Sequence, residues 1–522
     1  MTRSTSSANA DDPDRAGDLI RRGLDALGQG QVDLARRLFR SAVAFAPATA
    51  QAYAGLLLVH RNAAAGARTA EIWRALAIDP DEPVAAVVCA SLLSAKAPAR
   101  AARLLRRQIC LRPGYGEAHH RFANLLLESG TDPTPAPFDR AFAIDPTSAA
   151  ALTDKAIGLR RRQLHPQASR LSRAALSLDP GIAEAHNSLA MAKLAEGRPA
   201  TAVIQARRGT AIAPGNAEIL WNEGLARLSL GDWRKAWPLY EARWRVPRFP
   251  GARADLDVPR WDGTPDPRAS LLLWAEQGLG DTLQFVRYAR LVRPLVGRVI
   301  LQVPAGLKRL LSGIAGVDLC VARNEALPAF DLHCPLGSLP GLFGTTLETV
   351  PCQSPYLAAP ATDVAHWKER LSRLARPWIG VCWKGNPRYP EDRMRSPGLD
   401  AFRPVIAAAR GSVISLVKDL DGDDLRGLTL LDLSAEQPDM ATTAGIVANL
   451  DLVVTSDTFL PHLAGALGNP VWLLLHHAPD WRWLMSRTDT PWYPSVDLFR
   501  QSVPGDWPSV VGPVAARLQG LC

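Results

Sequence analysis

Prolines recur at Pro47, Pro80, Pro113, Pro146, Pro180 and Pro214, with gaps of 33, 33, 33, 34 and 34 residues. Each closes an apolar run, in turn AVAFAP, ALAIDP, QICLRP, AFAIDP, ALSLDP and AIAP. A proline ring clashes with the preceding helical turn and has no N–H to donate, so it ends a helix. A helix stop at fixed period is the mark of stacked supersecondary units, none of which buries its apolar face alone.

The period is that of the tetratricopeptide repeat (TPR), two antiparallel helices per unit. In the first unit Gly23, Ala35, Phe39, Ala42 and Pro47 fall where that pattern wants small, small, large, small and proline, and Gly224, Ala236 and Tyr240 repeat it in the last. Small residues let paired helices approach, and the large one fills the gap between them. Middle units are degenerate, with Arg68 and Thr134 where alanine is usual. About seven units fit into 15–249, and they predict an α-helical TPR solenoid presenting a concave surface to a protein partner.

At 522 residues more than one domain is required. The start, 1–14, is polar and lacks the apolar segment of a signal peptide, so a disordered leader is expected there. The longest nearly uncharged apolar stretch, Val84 to Ala95, is too short to span a bilayer, and a cytoplasmic chain without membrane insertion is expected. The seven cysteines are scattered without a CxxC pair, which fits neither a disulfide framework nor a thiolate zinc site. Residues 1–250 hold 34 Lys+Arg against 23 Asp+Glu, and the remainder 26 against 28. No aromatic-interleaved basic stripe accompanies these arginines, so they read as solvated outer helix faces, and nucleic acid is not expected as a partner.

Beyond a Pro/Gly/Asp-rich linker, 250–267, the texture changes. Ser270 to Ala275 has strand length, Gly278-Leu279-Gly280 reads as a turn, and Asp281 to Val292 has helical periodicity. Arg298 to Gln302 and Val317 to Cys320 are further strand candidates, and Phe330 to Cys334 precedes a Gly/Pro-rich segment expected to be loop, completing one small α/β lobe over 268–365. A second lobe, 366–522, opens at Trp378 to Trp383 and adds candidate strands at Val413 to Val417 and Leu428 to Leu433. Its clearest unit is LDLVVTSDTFLPHLAGALGNPVWLLL. Leu450 to Thr455 reads as a strand, Ser456-Asp457-Thr458 as a turn, Pro461 as the first helical residue, Gly468 as the helix stop and Val471 to Leu475 as the next parallel strand. Ligands of open parallel sheets bind at the carboxyl ends of strands, where helix N-termini favour phosphate.

WAEQGLGDTLQFVRY, SLPGLFGTTLETVPCQSPYL, IGVCWKGNP, SDTFLPHLAGALGNPVWLLL and DWRWL…PWYPSVDLFRQ, in this order, resemble the bacterial TPR-containing glycosyltransferases. Their catalytic half is similar to the heptosyltransferases of glycosyltransferase family 9. The resemblance covers Leu271 to the C-terminus and implies an α/β GT-B-type fold of two Rossmann-like lobes, with inverting transfer from a nucleotide sugar and no metal. It places the family's Gly-Asp turn on Gly280-Asp281 and its phosphate motif on Asp457, Thr458, His462, Leu463 and Ala464. Phe459 departs from that motif, which has glycine there. The chain also resembles flagellin glycosyltransferases. This implies flagellin as the protein acceptor, held by the TPR array, and a nonulosonic acid (pseudaminic or legionaminic type) from a CMP-linked donor as the group transferred to Ser or Thr. The TPR-bearing O-GlcNAc transferases are a more distant likeness. Two alternatives stay open, a TPR scaffold with a non-catalytic transferase-like half and a heptosyltransferase-like enzyme of surface polysaccharide.

Sugar transfer needs a base for the acceptor hydroxyl and positive groups for the departing phosphate. Asp281, at the mouth of the first-lobe strand, is the candidate base, with a helix N-cap as its structural alternative. Gly278 and Gly280 form the turn. Lys384, Arg395 and Lys418, each after a second-lobe strand, are the candidate donor-binding cations, with Arg393 beside them. Ser456, Asp457, Thr458 and His462 complete the donor side. Of the tail aromatics Trp481, Trp483, Trp492, Tyr493 and Phe499, most are expected to pack and one is available for the nucleotide base.

Overall fold

In the computed structural model, residues 13–521 are described except 30, 60–64, 95–96, 129–135, 247–248, 250–255, 388–391, 419, 421–424 and 426, so most of the expected leader lies outside the description. The chain forms two compact units, 1–188 and 189–522.

The first unit is TPR-like, built of antiparallel helix pairs: α1 (Pro13–Gly28) with α2 (Val32–Phe45), α3 (Ala50–Val59) with α4 (Ala65–Ile78), α5 (Pro83–Leu93) with α6 (Pro98–Leu111), α7 (Gly116–Glu128) with α8 (Ala136–Ile144), and α9 (Ala149–Arg161) with α10 (His165–Leu178). The repeat positions explain the packing. Phe39 is fully buried, and a Cβ at Gly23 or Gly55 would stand 2.7 or 2.3 Å from its ring. The proline turns are fixed by repeated devices, since the His119 ring nitrogen Nε2 meets Pro113 O at 3.0 Å and that of His186 meets Pro180 O at 3.2 Å. The α3 helix is buried around nearly its whole circumference, as its largely apolar sequence requires.

α11 (Ala183–Ala195) spans the division between the units, and α12 (Pro199–Ile212), α13 (Ala217–Leu230) and α14 (Trp233–Tyr240) follow, with α13 packed on both α12 and α14. The second unit continues with two all-parallel sheets. One, in the order β3-β2-β1-β4, is made of β1 (Asp266–Trp274), β2 (Val296–Val303), β3 (Leu319–Ala322) and β4 (Leu332–Pro335). The other, in the order β10-β9-β8-β5-β6-β7, is made of β5 (Trp378–Cys382), β6 (Ser412–Ser415), β7 (Leu431–Asp432), β8 (Leu452–Ser456), β9 (Val471–Leu475) and β10 (Val496–Arg500). Strands β5, β8 and β9 are buried at every residue, as parallel strands covered on both faces are.

The change of texture at 249/250 is not where the contacts divide. Trp233 of α14 stacks on Trp492 at 5.2 Å, and Trp237 meets Trp481 edge-on at 5.7 Å while its indole N–H donates to Thr345 O at 2.7 Å. The last helix pair therefore shares one core with the sheets.

Candidate functional site

The carboxyl end of β1 leads through Ala275-Glu276-Gln277 into the helix Leu279–Phe285. Gly278 is its N-cap, so Gly280 lies inside the first turn rather than in a preceding loop. The predicted continuous helix to Val292 is broken into short α and 3-10 segments. Asp281 Oδ2 accepts from the Gly278 N–H at 2.8 Å, and Oδ1 accepts from Arg482 Nη2. Both oxygens of the candidate base are thus engaged, in a cap and an ion pair, while its side chain keeps about a quarter of its exposure.

Arg482 organises the site. It is buried in the 3-10 turn Trp481–Trp483, whose N-cap Asp480 accepts from the Arg482 backbone N–H at 3.0 Å and from its Nη1 at 2.8 Å. Its Nε donates to Gln284 Oε1 at 2.5 Å. Burial alone would lower the basicity of the guanidinium, but the charges of Asp480 and Asp281 outweigh it and hold the group protonated.

The second sheet contributes through the segment after β8. Ser456 ends the strand instead of opening a turn, and its buried Oγ has no hydrogen-bond partner among the described residues. The helix Leu460–Leu467 follows, with Pro461 second rather than first and Gly468 as its left-handed C-cap. Thr458 Oγ1 accepts from Leu460 N at 3.1 Å. Asp457 is buried, and desolvation, with the like charge of Asp480, pushes its carboxyl up to about 7 against the pull of Arg395 and Arg482. His462 is buried too, stacked on Trp483 at 5.2 Å with Nδ1 2.9 Å from Tyr493 Oη. Its burial, then Arg482, Arg287 and Arg395, hold it well below the ordinary histidine range, so it is a neutral imidazole.

The two motifs meet directly. A Cβ at Gly280 would lie 2.8 Å from His462 Cδ2, so only glycine lets this helix turn sit against the imidazole. Asp281, Asp457 and His462 are therefore gathered around Arg482, and Arg395 lies close enough to shift Asp457 and His462. Arg395 is itself 3.2 Å from Asp392, beside Gly385. Lys384 and Lys418 stand half-buried just after β5 and β6, and Arg393 is exposed.

The tail aromatics pack, as most of them are expected to. Trp481, Trp483, Trp492 and Tyr493 are buried against one another and against Trp233, Trp237 and His462, and Phe499 packs on Trp472. Arg287 fills the space below them, donating to Trp492 O at 2.7 Å and to Tyr356 Oη at 2.9 Å. Sequence reading also missed Asp480, Gln284 and Tyr240, whose hydroxyl accepts from Gln277 Nε2 at 2.8 Å. The Glu276-Gln277 pair preceding the glycines was the available signal for the last of these.

Asp457 carries a pH prediction. Its folded pKa lies above its unfolded value, so its contribution to stability is full below about pH 4 and lost as pH rises to about 7. Asp457→Asn should gain stability relative to wild type between pH 5 and pH 8, read from urea midpoints. Parallel curves for the two proteins would show a carboxylate already ionised at pH 5.

No family model matches the chain. It is 26% identical over 378 residues to Protein FlbA of Caulobacter vibrioides, covering 66% of this chain and 62% of that protein. The chain thus spans less than two thirds of that relative's length. Solved structures similar to it include the Cut9–Hcn1 assembly of the APC/C (TM-score 0.36, 15% identity, 41% of this chain and 43% of that one). Others are Pseudomonas aeruginosa PilF (0.32, 18%, 40% and 96%) and the type IV pilus biogenesis factor PilW (0.29, 20%, 44% and 91%).

Proposed function

We propose that the chain is a glycosyltransferase that moves a sugar from a nucleotide donor to a serine or threonine hydroxyl of a protein held by its TPR-like helices. The observation that carries this reading is the meeting of two motifs far apart in sequence, Gly280-Asp281 and Asp457 to His462, at the carboxyl ends of β1 and β8 around Arg482. In the reaction the acceptor oxygen bonds to the anomeric carbon as the bond from that carbon to the donor phosphate oxygen breaks. Asp281 takes the hydroxyl proton, and the nucleotide leaves with the electron pair. Arg482, Arg395 and the N-terminus of the Leu460–Leu467 helix neutralise the leaving phosphate without a metal. Because Asp281 is tied to Arg482, the arriving phosphate does two things, drawing the guanidinium to itself and freeing the carboxylate. Lys384 and Lys418 approach the nucleotide from the neighbouring strands. In this reading the chain acts in the cytoplasm.

Flagellin, with a nonulosonic acid from a CMP-linked donor, is the acceptor the motif resemblance favours. The test is the intact mass of flagellin from cells with and without this chain. A sugar-sized mass that depends on the chain is expected. An unchanged mass favours a scaffold with a non-catalytic half, a reading to which the doubly engaged Asp281 and the Phe459 departure give some weight.

A further inference from the structure

We infer that the outer face of α2, α4, α6, α8 and α10 is a docking strip for an acidic polypeptide segment. In each second helix one side is buried, with Phe39 and Ala42 in α2, Ile72 and Ala75 in α4, Leu105 and Gln108 in α6, Phe138 and Ala141 in α8, and Ser172 and Ala175 in α10. Away from that side each helix presents an exposed arginine, one position after the first of these buried residues in α2 and α10 (Arg40, Arg173) and two positions after it in α4, α6 and α8 (Arg74, Arg107, Arg140). Arg107 is held by Asp81 at 2.5 Å, but Arg103, one turn earlier in the same helix, has no such partner. Among the described residues, Arg37, Arg40, Arg74, Arg103, Arg140, Arg170 and Arg173 have no ion pair and lie over no ring.

A face that merely stays hydrated mixes both signs, as α1 does where Asp18 pairs with Arg21 and Arg22. Here α6 and α10 contain no acidic residue at all. The others hold three, Asp33, Glu71 and Asp139, of which Asp33 is turned to Arg36 and Asp139 to Lys155, while the side chain of Glu71 lies outside the described residues. Arg100 lies over the Trp73 ring at 6.0 Å, which makes the faces of α4 and α6 continuous.

The choice of partner follows from chemistry. An extended segment rich in Asp and Glu running along the repeats offers carboxylates to arginines of successive helices. The guanidinium fork suits a carboxylate in two-point contact. Beside the arginines stand Ile78, Leu111 and Leu178, exposed by 39, 50 and 56%. They give contact to the aliphatic side chains of a polypeptide, which a phosphodiester backbone lacks. These isolated side chains form no broad apolar face of the kind that seats a helix in a bilayer surface.

The test uses the full chain and a fluorescent peptide of about 18 residues repeating Glu-Glu-Leu, read by anisotropy at about 0.15 M salt. The variant R40Q/R74Q/R140Q/R173Q should bind at least tenfold more weakly than wild type. A charge-matched control, R268Q/R290Q/R298Q/R410Q, should change less than twofold, with all three proteins giving the same circular dichroism and melting profile. Equal losses in both variants would overturn the strip as the site. Tighter binding of wild type to phosphatidylserine vesicles or to a single-stranded oligonucleotide would overturn the polypeptide as its partner. None of these readouts depends on the glycosyltransferase reading.

Discussion

Asp281→Asn is expected to lower sugar transfer by about 10²- to 10⁴-fold while leaving the fold in place. The asparagine side-chain oxygen can still accept from the Gly278 N–H, so the helix keeps its cap, and Arg482 keeps Asp480 and Gln284. What disappears is the ability to take a proton. Donor binding, followed by calorimetry with CMP and with UDP as probes, should stay within a few-fold of wild type for whichever nucleotide binds. A transfer rate within threefold of wild type, with the same melting point, would make Asp281 a cap and ion-pair partner only.

The largest effect on stability is expected at Arg243, a residue outside the predicted site set. This guanidinium is fully buried, stacked over Tyr240 and Trp244 at 4.3 and 4.6 Å. It donates to Ser338 Oγ at 2.7 Å, Glu241 Oε1 at 2.6 Å and Glu276 Oε1 at 3.3 Å. Arg243→Ala strands the Glu276 carboxylate, which also accepts from Gly337 N at 3.0 Å, and should cost about 3–5 kcal/mol. Burial already pushes Glu276 up to about 6, against the pull of Arg243. A carboxyl raised above its unfolded value favours the fold in acid and loses that contribution as pH rises. The variant's deficit should therefore shrink from pH 8 to pH 5, and Glu276→Gln in the same background should restore part of it. A deficit independent of pH, measured by urea unfolding, would mean that packing around Tyr240 and Trp244 sets the cost.

Strands β1, β2, β5, β8 and β9 were legible because each is an apolar run bounded by glycine, proline or a charged turn, and the helix pairs because proline keeps their period. The positions of Gly280, Asp281, Asp457 and His462 in the segments that follow β1 and β8 came from the same patterns. The centre of the site did not, since Arg482 reaches Asp281 across 201 residues and nothing local to DWRW distinguishes it from Arg487 or Arg500. The partners of the tail tryptophans were hidden for a related reason. Aromatic density signals a binding wall and a packed core alike, and only the positions of Trp233 and Trp237 decide between them.

Those two tryptophans have a consequence for how the second unit can work. The last helix pair is soldered into the sheets' own core, so it cannot swing like a domain on a linker. Whatever those two helices grip is measured off from the Arg482 cluster by a rigid ruler, and a chain cut at Pro250 would discard both the ruler and part of the wall behind the site.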